Sequence, residues 1–199
     1  MVWFEAHNLT LRTHDGRKLS KSLKFSISAG EVVHIQGANG TGKTTLIKSL
    51  LGLHQKFSGK LARNLKSENM AYLPQLTNYE FFLPLNFRDI LSGIDKDFKK
   101  RLSPYFTPSD SWLHLTWNKA SGGERQKLLI LKTLLLERQL LILDEPFNHL
   151  DKHGREQVKD WIETFMEEPG HTLIIIHHGE WKMKNHKIKN LDLEEAEGA

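Results

Sequence analysis

The sequence predicts an α/β fold in which a buried strand, a glycine-rich loop and a helix follow one another near residue 40. Residues 31–36 include Val32, Val33 and Ile35 and have the length of a short buried strand. Apolar residues at helical spacing then fill 45–51, until Gly52 ends the helix. Two further apolar strands, at 140–143 and 172–176, each end in ionisable residues. Strands alternating with helices in this way favour an open sheet with polar groups at the carboxyl ends of its strands.

The loop between that strand and helix fits the phosphate-binding pattern G-x-x-x-x-G-K-[ST]. Its residues are Gly37, Ala38, Asn39, Gly40, Thr41, Gly42, Lys43, Thr44 and Thr45. Glycines let the backbone N–H groups point inward at a phosphate, and the helix N-terminus adds its positive end. We expect Lys43 to lie between the β- and γ-phosphates and the Thr44 hydroxyl to bind Mg²⁺. A glycine-rich turn with an unrelated lysine is the alternative, and the strand–loop–helix order disfavours it.

The composition is that of a globular protein with one core and room for a small subdomain. The 199 residues are 39% apolar and 26% charged. Since there is no cysteine, disulfides and thiolate metal sites are excluded. The N-terminus lacks the pattern of a signal peptide, and no run of about 18 apolar residues occurs. We therefore expect a cytosolic chain that does not span a membrane by itself.

The charge is unevenly distributed. The formal net charge is +4, and residues 1–66 carry eleven Lys or Arg against the three acids Glu5, Asp15 and Glu31. The tail at 192–197 is acidic. A basic face could meet nucleic acid or anionic lipid headgroups. An ordinary solvated surface is the reading that we favour.

The N-terminal region predicts an antiparallel sheet. Residues 3–11 and 23–28 alternate apolar and polar side chains, and residues 14–17 between them have hairpin-turn chemistry. The chain then passes through Ala29 and Gly30 into the strand before the phosphate loop. Further strands are expected at 59–65 and 70–73, the second of which ends at Pro74 and Gln75.

The stretch at about 77–119 predicts a small helical insert within a single domain that covers residues 1–199. Asn86 can cap a helix that runs through Leu91 and ends at Gly93, while Pro104 and Pro108 divide the rest into short pieces. The aromatic cluster at 81–87 has two interpretations. Its side chains either belong to the core or face outward to receive another protein.

A strong helix is predicted from Ser121 to about residue 137. Ser121 and Glu124 have the spacing of a capping box, so the serine marks the helix start. Gly122 and Gly123 are either the turn into this helix or a place where a phosphate approaches its N-terminus closely. The sequence leaves both interpretations open.

Asp144 and Glu145 follow the buried strand at 140–143 and are expected at the ligand-binding edge of the sheet. Asp144 would hold Mg²⁺ through its water shell, and Glu145 would polarise a water as general base. Asp151 can cap a helix from Lys152 to about residue 168. The strand at 172–176 brings His177 and the residue after it to the same edge. The segment from Lys182 to Lys189 and the acidic tail are predicted to be peripheral.

Taken together, these motifs resemble the ATP-binding-cassette family, in the family's order and over essentially the whole chain. The resemblance implies a P-loop NTPase of that type, with a mixed central sheet, an N-terminal antiparallel β-subdomain and the helical insert. It implies ATP and Mg²⁺ as ligands. It also implies that Gln75 completes the Mg²⁺ shell and senses the γ-phosphate. The resemblance also implies a switch histidine, which hydrogen-bonds the γ-phosphate. The family's spacing from Thr172 favours His178 for this role, and His177 remains the alternative.

The resemblance further implies a head-to-tail dimer, formed with a second copy or a homologous subunit, with ATP at both seams. Ser121, Gly122 and Gly123 would then bind the γ-phosphate held by the other copy, and Asp151 would contact the opposite phosphate loop. The implied function is the ATPase subunit of a membrane transporter, bound at the cytoplasmic face to a separate transmembrane subunit. A soluble member acting in translation or nucleic-acid maintenance is the alternative, and nucleic acid is the less expected partner.

The chain departs from the family pattern at four places. Ala38 stands where Pro is common, and Ala120 and Glu124 stand where the signature usually has Leu and Gln. The aromatic residue that usually stacks on adenine is not evident near Thr13. Two further likenesses point to different cargoes. The short length resembles haem-exporter ATPases, and residues 83–85 after Gln75 resemble metal-importer ones.

Overall fold

A computed structural model describes residues 1–75, 83–179 and 181–194. The strands in this part of the chain are β1 (Val2–Leu11), β2 (Leu23–Ser28), β3 (Val32–Gln36), β4 (Phe57–Arg63), β5 (Met70–Leu73), β6 (Leu140–Asp144), β7 (Thr172–Ile176) and β8 (Ile188–Asp192). The helices are α1 (Lys43–Leu50), α2 (Phe87–Ser92), α3 (Phe98–Leu102), α4 (Asp110–Leu113), α5 (Gly122–Leu134) and α6 (Lys152–Met166), with 3₁₀ turns at Ser67–Asn69 and Trp117–Lys119. None of the helices in these ranges is long and apolar enough to cross a bilayer.

The N-terminal strands form a three-stranded antiparallel sheet in the order β2-β1-β4. Alternate side chains of β2 are buried, as its sequence pattern predicts. β4 begins and ends two residues earlier than expected, because its register is fixed by pairing with β1, in which Leu11 lies opposite Phe57 and Phe4 opposite Arg63. The predicted antiparallel sheet is confirmed, with a shifted third strand.

The central sheet has five strands in the order β5-β6-β7-β3-β8. Its four strand pairings are all parallel. The sequence predicts a mixed central sheet, whereas in the described residues the antiparallel pairings lie in the separate N-terminal sheet. The prediction that the segment from Lys182 onward is peripheral was wrong for residues 188–192. β8 pairs with β3, and Gln36 lies opposite Asp192 beside the phosphate loop. The sequence does not show this strand, because its residues are partly exposed and include charged ones. An edge strand can have one face exposed, so it lacks the apolar run of a central strand.

The central sheet separates two hydrophobic cores. Along β6 the side chains alternate between them: Leu141 and Leu143 face the core that α5, α6 and the helical insert cover. Leu140 and Ile142 face the core formed with α1 and the antiparallel sheet. Burial on both faces explains why β6 reads as an unbroken apolar run. It also holds the carboxyl end of β6, where the two acids lie, rigidly between two layers.

The described part of the insert contains α2, α3 and α4. Asn86 caps α2 and forms a capping box with Asp89, and Gly93 follows the helix as expected. Phe87 is fully buried and therefore belongs to the core. Phe81 and Phe82 lie outside the described residues. The extent of the insert, about 77–119, and the single domain stay predictions.

α5 and α6 end earlier than the sequence suggests. α5 ends at Leu134 rather than near residue 137, since the Arg101 guanidinium donates to the Leu135 carbonyl at 2.8 Å and to Glu137 at 2.7 Å. Glu137 has a positive φ of 47°, which is incompatible with a continuing helix. α6 ends at Met166 rather than near residue 168. Contacts from the insert thus decide where α5 stops.

Candidate nucleotide-binding site

The phosphate loop joins β3 to α1 in a conformation that only glycine adopts easily. Gly37, Gly40 and Gly42 have positive φ values of 138°, 86° and 95°. A Cβ on Gly37 would lie 2.7 Å from the Thr41 hydroxyl oxygen, so a larger residue there would displace the loop. The helix begins at Lys43, two residues earlier than the apolar pattern suggests. The N-terminus of α1 therefore opens directly onto the loop.

A cavity of about 610 Å³ lies over this helix start, at the carboxyl ends of the central strands. This volume is typical of small-molecule sites. The lining brings together the loop and the polar residues that follow β5, β6 and β7. The lining residues are Thr13, Arg17, Leu19, Asn39, Gly40, Gly42, Lys43, Thr44, Thr45, Gln75, Asp144, Glu145, Asn148, Ile176 and His178.

Lys43 is held by the carbonyl groups of its own loop. Its ammonium donates to the Gly37 carbonyl oxygen at 2.6 Å and to the Ala38 carbonyl oxygen at 2.8 Å. These contacts keep a positive charge at the centre of the loop. An anion that enters the cavity would offer stronger, charge-assisted hydrogen bonds to the same ammonium.

Thr44 and Asp144 meet across the cavity floor. The Thr44 hydroxyl donates to Asp144 Oδ2 at 3.0 Å, although the two residues are 100 positions apart. Asp144 is only 2% exposed, and this burial raises the pKa of its carboxyl group. The Tyr72 hydroxyl lies 3.5 Å from the same oxygen. Sequence reasoning missed Tyr72, whose position in a short strand gives no functional signal.

These oxygen ligands fit Mg²⁺ in their chemistry, because hydroxyl, carboxylate and amide oxygens are the ligands that this hard cation prefers. Within the described ranges, no group of three or more His, Asp or Glu side chains could hold a metal by itself. A cation held here would thus depend on Thr44 and Asp144, with Gln75 on the cavity wall, and on oxygens that a bound phosphate brings.

Glu145 is almost buried at the end of β6 and lies between two histidines. Its Oε1 is 3.2 Å from His178 Nε2, and its Oε2 is 3.9 Å from His177 Nδ1. Its φ of 54° is unusual for a residue with a side chain, and such backbone strain is concentrated at functional sites. Burial raises the pKa of the Glu145 carboxyl group. The carboxylate is therefore a stronger proton acceptor than a solvated one.

The two histidines differ in their surroundings. The His178 side chain is 61% exposed and lines the cavity beside Glu145. His177 packs edge-on against Phe147, with ring centroids 4.8 Å apart, and burial lowers its pKa to about 4. His177 is consequently neutral at physiological pH, and it lines a second cavity that Gly37 and Lys43 also line. This arrangement favours His178 over His177 as the residue that faces a ligand.

A buried hydrogen-bond network links the phosphate-loop strand to the histidine loop. His34 is 2% exposed, and its Nε2 lies 2.9 Å from the His177 carbonyl oxygen, to which it can donate. The other ring nitrogen lies 3.1 Å from Gln36 Nε2. Sequence reasoning missed this pair. A histidine inside an otherwise apolar strand was the available signal, because a buried imidazole needs partners.

The residues at 121–123 lie apart from the cavity, at the N-terminus of α5. Ser121 caps this helix, and its capping box with Glu124 is present as predicted. A Cβ on Gly123 would lie 2.9 Å from the His149 carbonyl oxygen, so the turn before α6 packs directly on this glycine. Asp151 caps α6 by accepting from the Gly154 N–H at 2.7 Å. None of these residues lines the cavity in the same chain.

One end of the cavity is lined by Thr13, Arg17 and Leu19 from the hairpin after β1. Among the described lining residues there is no phenylalanine, tyrosine or tryptophan. Arg17 presents the flat guanidinium group that could replace such a ring.

Comparison with known proteins accounts for this combination of loop, acids and helix start. Residues 20–148 match the family model described as ABC transporter. The chain belongs to the ATP-binding-cassette family. Relatives of known name agree: it is 33% identical over 172 residues to the zinc import ATP-binding protein ZnuC of Acinetobacter baylyi. It is also 33% identical over 165 residues to ZnuC of Wigglesworthia glossinidia brevipalpis.

These matches cover most of the chain and a smaller part of the relatives. They extend over 85% and 81% of this chain, and over 66% and 70% of the two ZnuC proteins. The chain thus spans about two thirds of the length of the relatives that it matches. The family and its predicted ATPase fold are therefore confirmed.

Solved structures agree on the fold. CbiO1 from Clostridium perfringens, part of the ABC transporter complex cbiONQ, has a TM-score of 0.72 at 23% identity. That match covers 90% of this chain and 80% of cbiO1. A bacterial Atm1-family ABC exporter with ATP bound has a TM-score of 0.73 at 16% identity, covering 89% of this chain and 35% of the exporter. At these identities, the likenesses establish the fold and nothing about cargo or direction.

Proposed function

We propose that this chain binds and hydrolyses ATP for a transporter whose transmembrane subunit is a separate protein. The observation that carries this proposal is the meeting of Lys43, Thr44, Asp144 and Glu145 around one cavity. Family membership, and relatives named as zinc import ATP-binding proteins, support the transport role. The work would take place at the cytoplasmic face of a membrane.

ATP binding begins with the phosphate loop. Backbone N–H groups of the loop and the N-terminus of α1 would receive the β- and γ-phosphates. Lys43 would leave the Gly37 and Ala38 carbonyls and donate to phosphate oxygens, exchanging neutral acceptors for charged ones. The base would lie toward Thr13, Arg17 and Leu19.

Hydrolysis would depend on the residues at the ends of β5, β6 and β7. Thr44, Asp144 and Gln75 would hold Mg²⁺, which supplies positive charge to the phosphate oxygens. Glu145 would orient a water and accept its proton, a role that its buried position and raised pKa suit. His178 would hydrogen-bond the γ-phosphate and, through its 3.2 Å contact, hold Glu145 in place.

The separation of Ser121 and Asp151 from the cavity supports a two-chain site. Ser121, Gly122 and Gly123 would contact the γ-phosphate bound by a second copy or a homologous subunit, and Asp151 would contact the opposite phosphate loop. ATP would close this dimer and hydrolysis would reopen it. The resulting movement would pass to the transmembrane subunit.

The cargo that we propose to test first is a divalent metal ion, since the relatives described above are named as zinc import proteins. Residues 83–85 after Gln75 add the sequence likeness to metal importers. Depleting the chain from cells in metal-poor medium should lower their zinc content. Unchanged zinc, with a change in another transported compound, would leave the ATPase role intact and overturn only the cargo.

The ATPase role is tested by Glu145→Gln in the purified chain. The variant should still bind ATP but hydrolyse it at least about a hundredfold more slowly, which is the range of general-base catalysis. Normal hydrolysis would place the base elsewhere. The transport role is tested by purifying the tagged chain from detergent-extracted membranes. A multi-span protein should copurify, whereas recovery only with ribosomes or with salt-sensitive nucleic-acid binding would favour the soluble alternative.

A further inference from the structure

The Glu124 carboxylate binds both hydrogen-bond donors of Ser121. The Ser121 hydroxyl donates its single proton to Glu124 Oε2 at 2.7 Å, and the Ser121 N–H donates to the same oxygen at 2.8 Å. In return, the Ser121 hydroxyl oxygen accepts from the Glu124 N–H at 3.2 Å. Both donors of Ser121, its hydroxyl and its N–H, are therefore bound to the Glu124 carboxylate of the same chain.

This matters because a phosphate oxygen can only accept. A hydroxyl that binds phosphate must donate its proton to it, and a serine has one hydroxyl proton. In this chain that proton is already held in a charge-assisted bond, which is about twice as strong as a bond to a neutral acceptor. Contact with a phosphate would require the hydroxyl to turn away from Glu124.

The carboxylate also brings negative charge to the same helix end. The bonds from Ser121 lower the pKa of the Glu124 carboxyl group, so it stays ionised at neutral pH, and Lys127 is the nearby cation that favours this state. A terminal phosphate that approaches Ser121 would meet this charge at close range, and like charges in a partly dehydrated interface repel.

We infer that Glu124 acts as a brake on the ATP-dependent pairing of two copies, because its carboxylate holds the Ser121 proton and repels the partner's terminal phosphate. This inference rests on the proposed function, in which Ser121 meets ATP bound by the other chain. Glu124 thus sets the strength of the dimer. The helix cap is kept whether the Ser121 hydroxyl donates to Glu124 or to a phosphate, because the hydroxyl oxygen still accepts from the Glu124 N–H.

The test compares Glu145→Gln with the double variant Glu124→Gln/Glu145→Gln as full chains. Glutamine keeps an oxygen that can accept from the Ser121 N–H, but it is neutral and holds the hydroxyl proton less firmly. Sedimentation with MgATP should give a dimer dissociation constant at least about tenfold lower for the double variant, since two seams change at once. ATP affinity of the isolated chain at low concentration should stay the same.

Two control variants separate this effect from a general change in the helix cap. Glu124→Asp keeps the charge and should not tighten the dimer. Asp89→Asn makes the same carboxylate-to-amide change in the capping box of α2, where Asn86 is the cap, and should leave dimerisation unchanged. With MgADP, no variant should gain affinity for a second copy, because the terminal phosphate is missing.

The outcomes divide clearly. If Glu145→Gln pairs in MgATP and the double variant pairs equally or less well, the brake is refuted and the proposed function stands. If tightening also occurs with Asp89→Asn or with MgADP, the effect is not at the phosphate and the inference fails. If neither variant pairs at any ATP concentration, while both bind ATP, the two-chain site of the proposed function fails and the inference fails with it.

Discussion

Single side chains show how the site is poised for an anion. The Lys43 ammonium donates to two loop carbonyl groups, and the Thr44 hydroxyl donates to Asp144. Both donors are satisfied without a ligand, so the loop is kept in shape. For Lys43, a charged phosphate would be a stronger acceptor than the two neutral carbonyl groups.

We predict that Lys43→Ala will weaken ATP binding at least about tenfold, because a hydrogen bond to a charged group contributes about 1.5–3 kcal/mol. Titration with a fluorescent ATP analogue measures this. Lys60→Ala is the control, since Lys60 is an exposed lysine of β4 that does not line the cavity. Equal affinity for ATP in the Lys43 variant would refute its role at the phosphates.

Sequence reasoning worked well for residues with a strict spacing rule. The positive φ values of Gly37 and Gly42 follow from the loop pattern, and the Ser121 capping box follows from its three-residue spacing. His34 and Tyr72 could not be found in this way. Their partners are His177 and Asp144, more than 70 residues away, and only folding brings these atoms together.

At the scale of elements, helix ends decide where functional side chains lie. Asp151 caps α6 through the Gly154 N–H, and the turn before it packs on Gly123 at the start of α5. The two segments implied to face a second chain are thus joined to each other within one chain. A change in the position of one helix start would be passed to the other.

We predict that Asp151→Ala will lower the free energy of unfolding by about 1 kcal/mol, which is the usual contribution of a helix N-cap. Urea denaturation followed by circular dichroism measures this. Asp151→Asn should retain the stability, since its side-chain oxygen can still accept from the Gly154 N–H. A loss of ATP-dependent pairing in the asparagine variant, at full stability, would assign Asp151 a second role at the dimer seam. Equal stability of the alanine variant would show that the cap contributes nothing.

At the scale of the whole molecule, the cavity and the 121–123 segment lie apart in one chain. If ATP is hydrolysed only between two chains, a single chain has half of each site. We therefore expect ATPase activity per molecule to rise as the protein concentration rises from dilute solution, and to level off when dimers predominate. Steady-state phosphate release over a concentration series measures this.

A rate that is strictly proportional to protein concentration would argue that one chain is sufficient. Glu145→Gln provides the background control, since its residual rate should stay low at all concentrations. Mixing wild-type chain with an excess of this variant should show whether one intact site in a pair still turns over.

The sequence by itself determined the fold class, the phosphate loop, the two acids at the end of β6 and the caps of α2, α5 and α6. These features depend on local rules, in which glycine, proline, capping residues and apolar spacing restrict the backbone over a few residues. Only the tertiary structure decided the register of β4, the pairing of β8 with β3 and the early end of α5. Each of these depends on which distant segment supplies the opposite hydrogen-bonding or packing partner, and short-range patterns do not contain that information.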